Sequence, residues 1–211
     1  MDDRQSAYRN LLAGEPYLQP DAYTSELQDV AKRRLKAFND TPMEDFPARL
    51  KALSELFGRQ ANCMILSPFY VDFGVHIRIG NTFVNANCTF LDSNYITIGD
   101  NVLIGTGVQL LAAGHPVHPT DRFVPWPQDP DFPFRGFGLA KPIVIEDFCW
   151  IGAGSIVIGG VTIGRGTTVG AGSVVTKSLP PMVVAAGNPC RVIRQLDDRP
   201  LPVLPPFPQQ G

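Results

Sequence analysis

The stretch that decides the fold is IEDFCWIGAGSIVIGGVTIGRGTTVGAGSVV, residues 145–175. A β-branched residue recurs at every sixth position of this stretch, at Ile145, Ile151, Val157, Ile163, Val169 and Val175. Neither the 3.6-residue period of an α-helix nor the two-residue alternation of a single strand produces this spacing. A fixed short repeat indicates a solenoid, and six residues is the period of a parallel β-helix. The predicted fold class is therefore all-β, a hexapeptide solenoid.

Three hexads make one triangular coil, so residues three hexads apart should stack on each other. The predicted stacked pairs are Ile145 with Ile163, Ile151 with Val169, and Val157 with Val175. Glycine often follows the aliphatic residue, which suits a tight corner. An earlier run of hexads passes through Ile98, Ile104 and Leu110. The interval from Ile79 to Val84 is one residue short, which predicts an irregular first coil.

The rest of the chain predicts three further regions. Residues 1–60 read as a helical annex, with one helix ending at Asn39–Pro42 and a second beginning near Pro47. Residues 61–195 read as the β-helix, interrupted by an excursion loop over residues 112–142. Prolines in this loop exclude a coil strand there, and loops of this length are often functional. Residues 196–211 read as an extended, proline-rich tail.

Composition limits the classes of partner and compartment. The net charge of −2 over 211 residues gives no reason to expect nucleic acid or an anionic membrane as partner. No signal peptide or long apolar run is evident, so we expect a cytoplasmic protein. The four cysteines form no Cys-x-x-Cys pair, which favours free, buried thiols over disulfides or a zinc site.

Several short motifs together resemble one family. They are AGEPY (residues 13–17), PFYVDFG (68–74), NANCTFLD (85–92), GHPVH (114–118), CWIG (149–152), GAGSVVTK (170–177) and AGNPCRVIR (186–194). Their combination is similar to the maltose and galactoside O-acetyltransferases, a branch of the hexapeptide-repeat acyltransferases, over about residues 8–195. The resemblance implies a left-handed β-helix and transfer of acetyl from acetyl-CoA to a sugar hydroxyl, with no metal. It also implies a homotrimer with active sites between subunits.

His115 is the candidate catalytic residue. Acetyl transfer to an alcohol requires a base that takes the hydroxyl proton, and imidazole commonly does so. A lone loop histidine is usually a surface residue, but its place in the GHPVH motif favours the general-base role. We expect His118 to be accessory or exposed and His76 to lie on the coil surface. In the resembling enzymes a glutamate orients the histidine; here Gly138 stands near that position, so Asp129, Asp131 or a backbone carbonyl would have to replace it.

The resemblance also implies an acceptor site and a coenzyme site. The acceptor residues would be Asn85, Asp72, Phe83 and Ser93, although Asp72 could equally be a turn residue, and Asn87 suits a structural corner better than Asn85. Acetyl-CoA would bind an outer groove lined by Ala153, Ala171, Thr176, Lys177, Arg191 and Arg194. Small alanines allow close approach to the pantetheine arm, and the three cations could bind phosphates. Trp150 would pack between subunits or against the coenzyme.

Alternative functions remain. The aromatic excursion loop, with Phe123, Trp126, Phe132 and Phe134, is compatible with a non-sugar acceptor such as an antibiotic, an amino acid or an apolar alcohol. A non-catalytic trimeric scaffold is a further possibility. A metal-dependent carbonic anhydrase of the same fold is disfavoured, because two of the three histidines crowd one loop. An acyl-enzyme on Cys149 is disfavoured because its hexad position predicts burial.

Overall fold

The computed structural model describes residues 5–124, 135–197 and 199–201, and a left-handed parallel β-helix forms the greater part of it. An annex precedes the β-helix and contains α1 (Ser6–Ala13), β1 (Tyr17–Gln19), α2 (Ala22–Asp40) and α3 (Phe46–Phe57). Most of the proline-rich tail, residues 198 and 202–211, lies outside the described residues, as do residues 125–134 of the excursion loop.

The β-helix has three faces, each a parallel sheet that takes one strand from each coil. The first face contains β4 (Ile77–Ile79), β7 (Ile96–Ile98), β12 (Ile143–Ile145) and β15 (Thr162–Ile163). The second face contains β2 (Met64–Ile65), β5 (Thr82–Val84), β8 (Val102–Ile104), β13 (Trp150–Ile151), β16 (Thr168–Val169), β18 (Val183–Ala186) and, joined antiparallel, β19 (Arg191–Gln195). The third face contains β3 (Phe69–Val71), β6 (Cys88–Leu91), β9 (Gln109–Leu111), β14 (Ile156–Ile158) and β17 (Val174–Val175).

The hexad residues stack as the repeat predicts. Ile145 pairs with Ile163, Ile151 with Val169, and Val157 with Val175. The earlier hexads extend the same columns, since Ile98, Ile104 and Leu110 pair with Ile145, Ile151 and Val157. All of these side chains are buried, and full burial of each stabilises the fold by roughly 1.5–3 kcal/mol. The repeat is thus the hydrophobic core itself.

Two of the corners between faces differ in a way that matters for the site. The regular corner joins the second face to the third, through residues 66–68, 85–87, 105–108, 152–155 and 170–173. The broken corner joins the third face to the first, through residues 72–76, 92–95, 112–142, 159–161 and 176–178. Successive coils touch at the regular corner: a β-carbon on Gly152 would lie 2.5 Å from the backbone nitrogen of Ala171. Glycine is therefore required there by close approach.

The first coil is irregular, as the sequence predicts. Ile79 and Val84 pair with Ile98 and Ile104, although they stand five and not six residues apart. A second irregularity was not predicted: residues 92–95 lengthen the broken corner, and Asn94 there donates hydrogen bonds to Leu11 O at 2.9 Å and Ala140 O at 3.3 Å. The inserted residues therefore attach the annex to the β-helix.

The excursion loop contains short elements that the sequence did not predict, β10 (Ala113–Gly114), α4 (Pro119–Arg122) and β11 (Gly136–Ala140). None of these is a coil strand; β11 pairs antiparallel with β10 and with β1 of the annex. The annex and the excursion loop therefore share a small sheet beside the broken corner.

Helices α2 and α3 match the predicted boundaries. Helix α2 ends at Asp40, and α3 runs from Phe46 to Phe57 and is capped by Gly58, whose φ of 64° is left-handed. The buried Arg49 of α3 donates to Thr41 O and Ile65 O, and its guanidinium lies 4.4 Å from the ring centroid of Phe38. These contacts seal the open end of the first coil. Among the described residues, no helix has the length and apolar character that a membrane span requires.

Candidate active site

A cavity of about 480 Å³ lies where the annex covers the broken corner, a size typical of small-molecule sites. The annex contributes Leu11, Tyr17, Gln19, Pro20, Thr24, Ser25 and Gln28. The β-helix contributes Asp72, Phe73, Leu91, Ser93, Ala113, Gly114 and His115. Three of the residues predicted from sequence therefore meet here: Asp72, Ser93 and His115 come from three successive passages of the chain through one corner.

His115 follows β10 and is held by the excursion loop. Its Nδ1 lies 2.9 Å from the carbonyl oxygen of Phe137 in β11. A carbonyl can only accept a hydrogen bond, so Nδ1 carries the proton and the neutral ring keeps a lone pair on Nε2. A backbone carbonyl, one of the orienting groups considered from sequence, is thus in contact with the ring. Asp129 and Asp131 lie outside the described residues.

The structure gives a steric reason for the glycine at position 138, which the sequence did not reveal. It pairs with Tyr17 across β11 and β1, and a β-carbon on Gly138 would lie 2.4 Å from Cζ of Tyr17 and 2.6 Å from its hydroxyl oxygen. The aromatic ring therefore occupies the space that a larger side chain at residue 138 would need. An acid cannot stand at this position unless Tyr17 moves.

Asp72 and Ser93 form a polar pair inside the cavity. The hydroxyl of Ser93 donates to Oδ2 of Asp72 at 3.0 Å. Burial raises the pKa of Asp72, against the lowering effects of that hydrogen bond and of the Lys32 charge. The fully buried Asp92 fixes the backbone beside it, because its Oδ1 accepts from the N–H groups of Asp72 at 3.0 Å and Phe73 at 2.8 Å.

Phe83 and Asn85 do not reach this cavity within one chain. Phe83 lies in β5 on the second face, and Asn85 stands at the regular corner, where its Oδ1 accepts from the backbone N–H of Ala86 at 2.8 Å. Asn87 takes the left-handed conformation of that corner, with φ of 63°. Both asparagines therefore have a structural role in the turn.

The six residues that the resemblance implies for the coenzyme are all exposed: Ala153, Ala171, Thr176, Lys177, Arg191 and Arg194. Ala153 and Ala171 stack at the regular corner, where Gly172 N–H donates to Ala153 O at 2.9 Å. Thr176 and Lys177 lie at the broken corner, and the two arginines lie on β19. This set offers a smooth small-residue surface and three cations, which fits an amide-containing arm that carries phosphates.

The second face carries an apolar stripe. Met64, Phe83, Leu103 and Trp150 are in register on adjacent strands, and Met64, Leu103 and Trp150 are 44%, 53% and 54% exposed. Of the excursion-loop aromatics, Phe123 is exposed, while Trp126, Phe132 and Phe134 lie outside the described residues. A contiguous exposed apolar stripe of this kind is typical of a protein–protein contact.

Cys149 is not placed to act as a nucleophile. Its side chain is buried in the β-helix, and its thiol donates to Gly164 O at 3.2 Å. Burial raises the pKa of this thiol to about 11, so little thiolate forms at neutral pH. Cys63, Cys88 and Cys190 are also free and buried.

The prediction that His76 lies on the coil surface was wrong. His76 is buried, its Nδ1 lies 2.6 Å from Asp92 O, and its Nε2 lies 2.9 Å from the hydroxyl of Tyr8. Helix α1, which contains Tyr8, covers this position. The hexad repeat does not indicate which coil residues a helix from elsewhere in the chain will cover. Within the described parts of the chain, no three His, Cys, Asp or Glu side chains are grouped as metal ligands.

Sequence reasoning missed the annex wall of the cavity. Tyr17 belongs to the quoted AGEPY motif but was not considered a site residue, and Gln19, Thr24, Ser25 and Gln28 carried no motif. The helical periodicity of α2 marks the face that packs on the β-helix, and it gives no sign that the first turn of the helix borders a cavity. The motif around Tyr17 was the one available signal.

Comparisons with known proteins agree with this architecture. Residues 142–177 match the bacterial transferase hexapeptide family, and residues 10–60 match the maltose acetyltransferase hexapeptide capping motif. The galactoside O-acetyltransferase of Escherichia coli strain K12 is 38% identical over 185 residues, which is 84% of this chain and 86% of that protein.

Two solved structures superpose over nearly the whole chain. A maltose O-acetyltransferase from Clostridium difficile 630 gives a TM-score of 0.82 at 34% identity, covering 93% of this chain and 100% of that one. A galactoside acetyltransferase in complex with coenzyme A gives 0.80 at 36% identity, covering 91% and 92%. The chain therefore belongs to the hexapeptide-repeat acetyltransferases, in the branch of the maltose and galactoside O-acetyltransferases.

Proposed function

We propose that the protein transfers the acetyl group of acetyl-CoA to a hydroxyl group of a sugar, with His115 as the general base. The observation that carries this proposal is the hydrogen bond from His115 Nδ1 to Phe137 O, which leaves the Nε2 lone pair to accept a proton. His115 takes the acceptor proton as the oxygen attacks the thioester carbonyl, and returns it to the leaving thiolate. A base of this kind contributes ~10²–10⁴-fold.

The cavity supports a sugar as acceptor. Uncharged polar side chains and the Asp72 carboxyl could hydrogen-bond ring hydroxyls, while Leu11, Phe73 and Leu91 could contact the apolar face of a ring. The same apolar residues favour, as the second candidate, a non-sugar acceptor such as an antibiotic, an amino acid or an apolar alcohol. The named relatives, a maltose and a galactoside acetyltransferase, support the sugar.

Acetyl-CoA would bind the exposed surface that carries Ala153, Ala171, Thr176, Lys177, Arg191 and Arg194. The support is twofold: the cations suit the phosphates, and a similar galactoside acetyltransferase is known with coenzyme A bound. A backbone amide near Ala153 is the candidate donor to the oxygen that becomes negative during the transfer.

The proposed active form is a homotrimer whose sites lie between subunits. In one chain His115 lies at the broken corner, whereas Asn85 and Ala153 lie at the regular corner. A second copy would bring its regular corner to the cavity of the first, and would add Phe83 and Asn85 to the acceptor site. In such a contact between subunits, the apolar stripe on the second face would be buried at the centre. Light scattering at micromolar concentration should report three copies, and a monomer would contradict this assembly.

The central test replaces His115 with alanine. His115→Ala should lower kcat by at least ~10²-fold while leaving acetyl-CoA affinity nearly unchanged, because the base acts on the acceptor proton. Thiol release from acetyl-CoA, measured over sugars and small alcohols, gives the rates, and calorimetry gives the affinity. His118→Ala is the matched control: His118 is exposed in the same loop and bonds Thr120, so its loss should leave kcat within about twofold.

The converse variants test the coenzyme groove. Lys177→Ala and Arg194→Ala should chiefly raise the KM for acetyl-CoA, since each removes a cation without touching the base.

Three outcomes would contradict parts of the proposal. If His115→Ala kept more than about a tenth of wild-type kcat, the general-base role would be excluded. Activity only on non-sugar alcohols would favour the second candidate. No thiol release and no coenzyme binding would instead point to a non-catalytic trimeric scaffold.

A further inference from the structure

The loop that carries the candidate base is attached to β11 at both of its ends. Before the base, Gly114 of β10 pairs with Leu139 of β11. After the short helix α4, Phe123 forms an antiparallel bridge with Gly136 at the start of β11. The chain between these two points, residues 115–122, therefore leaves the strand and returns to it, with the base as its first residue.

The middle of this loop has little side-chain packing to hold it in place. Val117, His118 and Thr120 are exposed, and Val117 is 91% exposed. The hydrogen bond between His118 and Thr120 joins two residues of the loop to each other and does not attach them to β11. The position of the chain directly after His115 therefore depends on another contact.

The half-buried Arg122 supplies that contact from the end of the same loop. Its Nε donates to Pro116 O at 3.0 Å, and its Nη2 donates to Val117 O at 2.7 Å. Nε and Nη2 lie on one edge of the planar guanidinium, so a single rigid group holds two successive carbonyls. Hydrogen bonds from a charged donor of this kind are stronger than those between neutral groups.

The backbone of Arg122 packs directly on β11. A β-carbon on Gly136 would lie 2.7 Å from the carbonyl oxygen of Arg122, and Gly136 comes immediately before Phe137, whose carbonyl accepts from His115. Arg122 thus contacts both sides of the base: its backbone touches the strand that orients the imidazole, and its side chain holds the two carbonyls that follow His115 in the chain.

We infer that Arg122 is a positioning residue for the proposed base. It fixes the backbone that leaves His115 relative to β11, so that the imidazole, one methylene from that backbone, keeps its hydrogen bond to Phe137 O. A displacement of about 1 Å can cost a catalytic group ~10²-fold in rate. This inference rests on the proposed general-base role of His115 and extends it to the residue that holds the base in place.

The test replaces Arg122 with alanine and with lysine. Arg122→Ala should lower kcat roughly 10- to 100-fold, while the affinity and the number of sites for coenzyme A, both measured by calorimetry, stay as in wild type. The number of sites counts folded protein, so a lower kcat per site does not come from unfolding. Arg122→Lys keeps the charge but cannot span both carbonyls, and it should lose almost as much.

Arg165→Ala is the matched control. Arg165 pairs with Asp147 at the corner between the first and second faces, away from the excursion loop. Because an exposed ion pair contributes little to stability, its loss should leave kcat within about twofold.

A double variant separates positioning from a purely structural role. In a His115→Ala background, Arg122→Ala should cost little further kcat, because no base is left to position. An equal loss in both backgrounds, or wild-type kcat in Arg122→Ala or Arg122→Lys, would overturn the role of Arg122 and leave the proposed function standing. Absence of thiol release by the wild type with every hydroxyl acceptor would overturn the proposed function itself, and the inference with it.

Discussion

The regular corner and the broken corner belong to the same coils, but they differ in their residue types and in the length of their turns. At the regular corner, residues 85–87, 105–108, 152–155 and 170–173 are small or polar apart from the buried Val108, and none of them has an ionisable side chain. Successive turns there touch through backbone, as at Gly152 and Ala171. At the broken corner the turns vary in length and carry Asp72, His76, Asp92 and His115.

The difference shows how a repeat protein gains chemistry. A strict repeat leaves backbone and small side chains at its corners, which suits a long, smooth ligand and gives few reactive groups. Where the repeat is interrupted, extra residues can point side chains into a common space, and other parts of the chain can pack against them. In this protein the annex fills that role, and the cavity forms between the two.

The largest expected effect concerns the repeat itself. Ile151→Ala should lower the free energy of unfolding by about 2–5 kcal/mol, because it leaves a void in a stacked column of buried residues. Ile158→Ala is the matched control, since Ile158 points outward from β14 and is 36% exposed. Denaturant unfolding of both variants gives the difference. Similar losses at the two positions would contradict the view that the inward column holds the β-helix together.

A middle-sized effect is expected at Gly138. Gly138→Glu should destabilise the protein by roughly 1–3 kcal/mol and reduce activity, because its β-carbon collides with Tyr17. The same substitution in a Tyr17→Ala background should cost less, since the obstructing ring is gone. Thermal unfolding and thiol-release rates of the four proteins measure the coupling. A rise in kcat for Gly138→Glu in the wild-type background would instead indicate that an acid there orients His115 without disturbing Tyr17.

The smallest effect in the wild-type protein is expected from two opposed pH dependences at the broken corner. Burial raises the pKa of Asp92 to about 7 in the folded protein, from 3.8. The folded state then holds more protons, so this group makes stability fall as pH rises between about 4 and 7. Burial lowers the pKa of His76 below 6.5, so this group makes stability fall as pH drops below 6.5. The two slopes oppose each other in the wild type.

Single substitutions should separate the slopes. His76→Gln removes the histidine contribution, so the unfolding free energy should decrease from about pH 4.5 to 7, by at most ~1.4 kcal/mol per pH unit. Asp92→Asn should show the reverse, a free energy that increases up to about pH 6.5. Urea titrations at half-unit pH intervals provide the curves. Parallel curves for the two variants would show that neither buried group governs the pH response of this corner.

The annex and the β-helix differ in how far their sequences predicted them. The end of α2 at Asp40 and the start of α3 beside Pro47 follow from local turn residues, so they were accessible from sequence. Strand β1 was missed, because three residues give no periodic signal and its partner β11 lies more than a hundred positions away. His76 was misjudged for a related reason: its cover is Tyr8, which only tertiary packing brings to it.

What the sequence alone determined is the β-helix, its stacked columns and the family of the chain, because each of these is written as local periodicity or as short motifs. It also singled out His115, Asp72 and Ser93. Only the tertiary structure decided that these three share one cavity, that Phe137 O orients the histidine, that Tyr17 fills the space beside Gly138, and that Phe83 and Asn85 face elsewhere. The physical reason is that a repeat specifies the interior of each coil, where every residue has a periodic neighbour. The cavity depends on contacts between segments far apart in the chain, and no local pattern encodes which of them will meet.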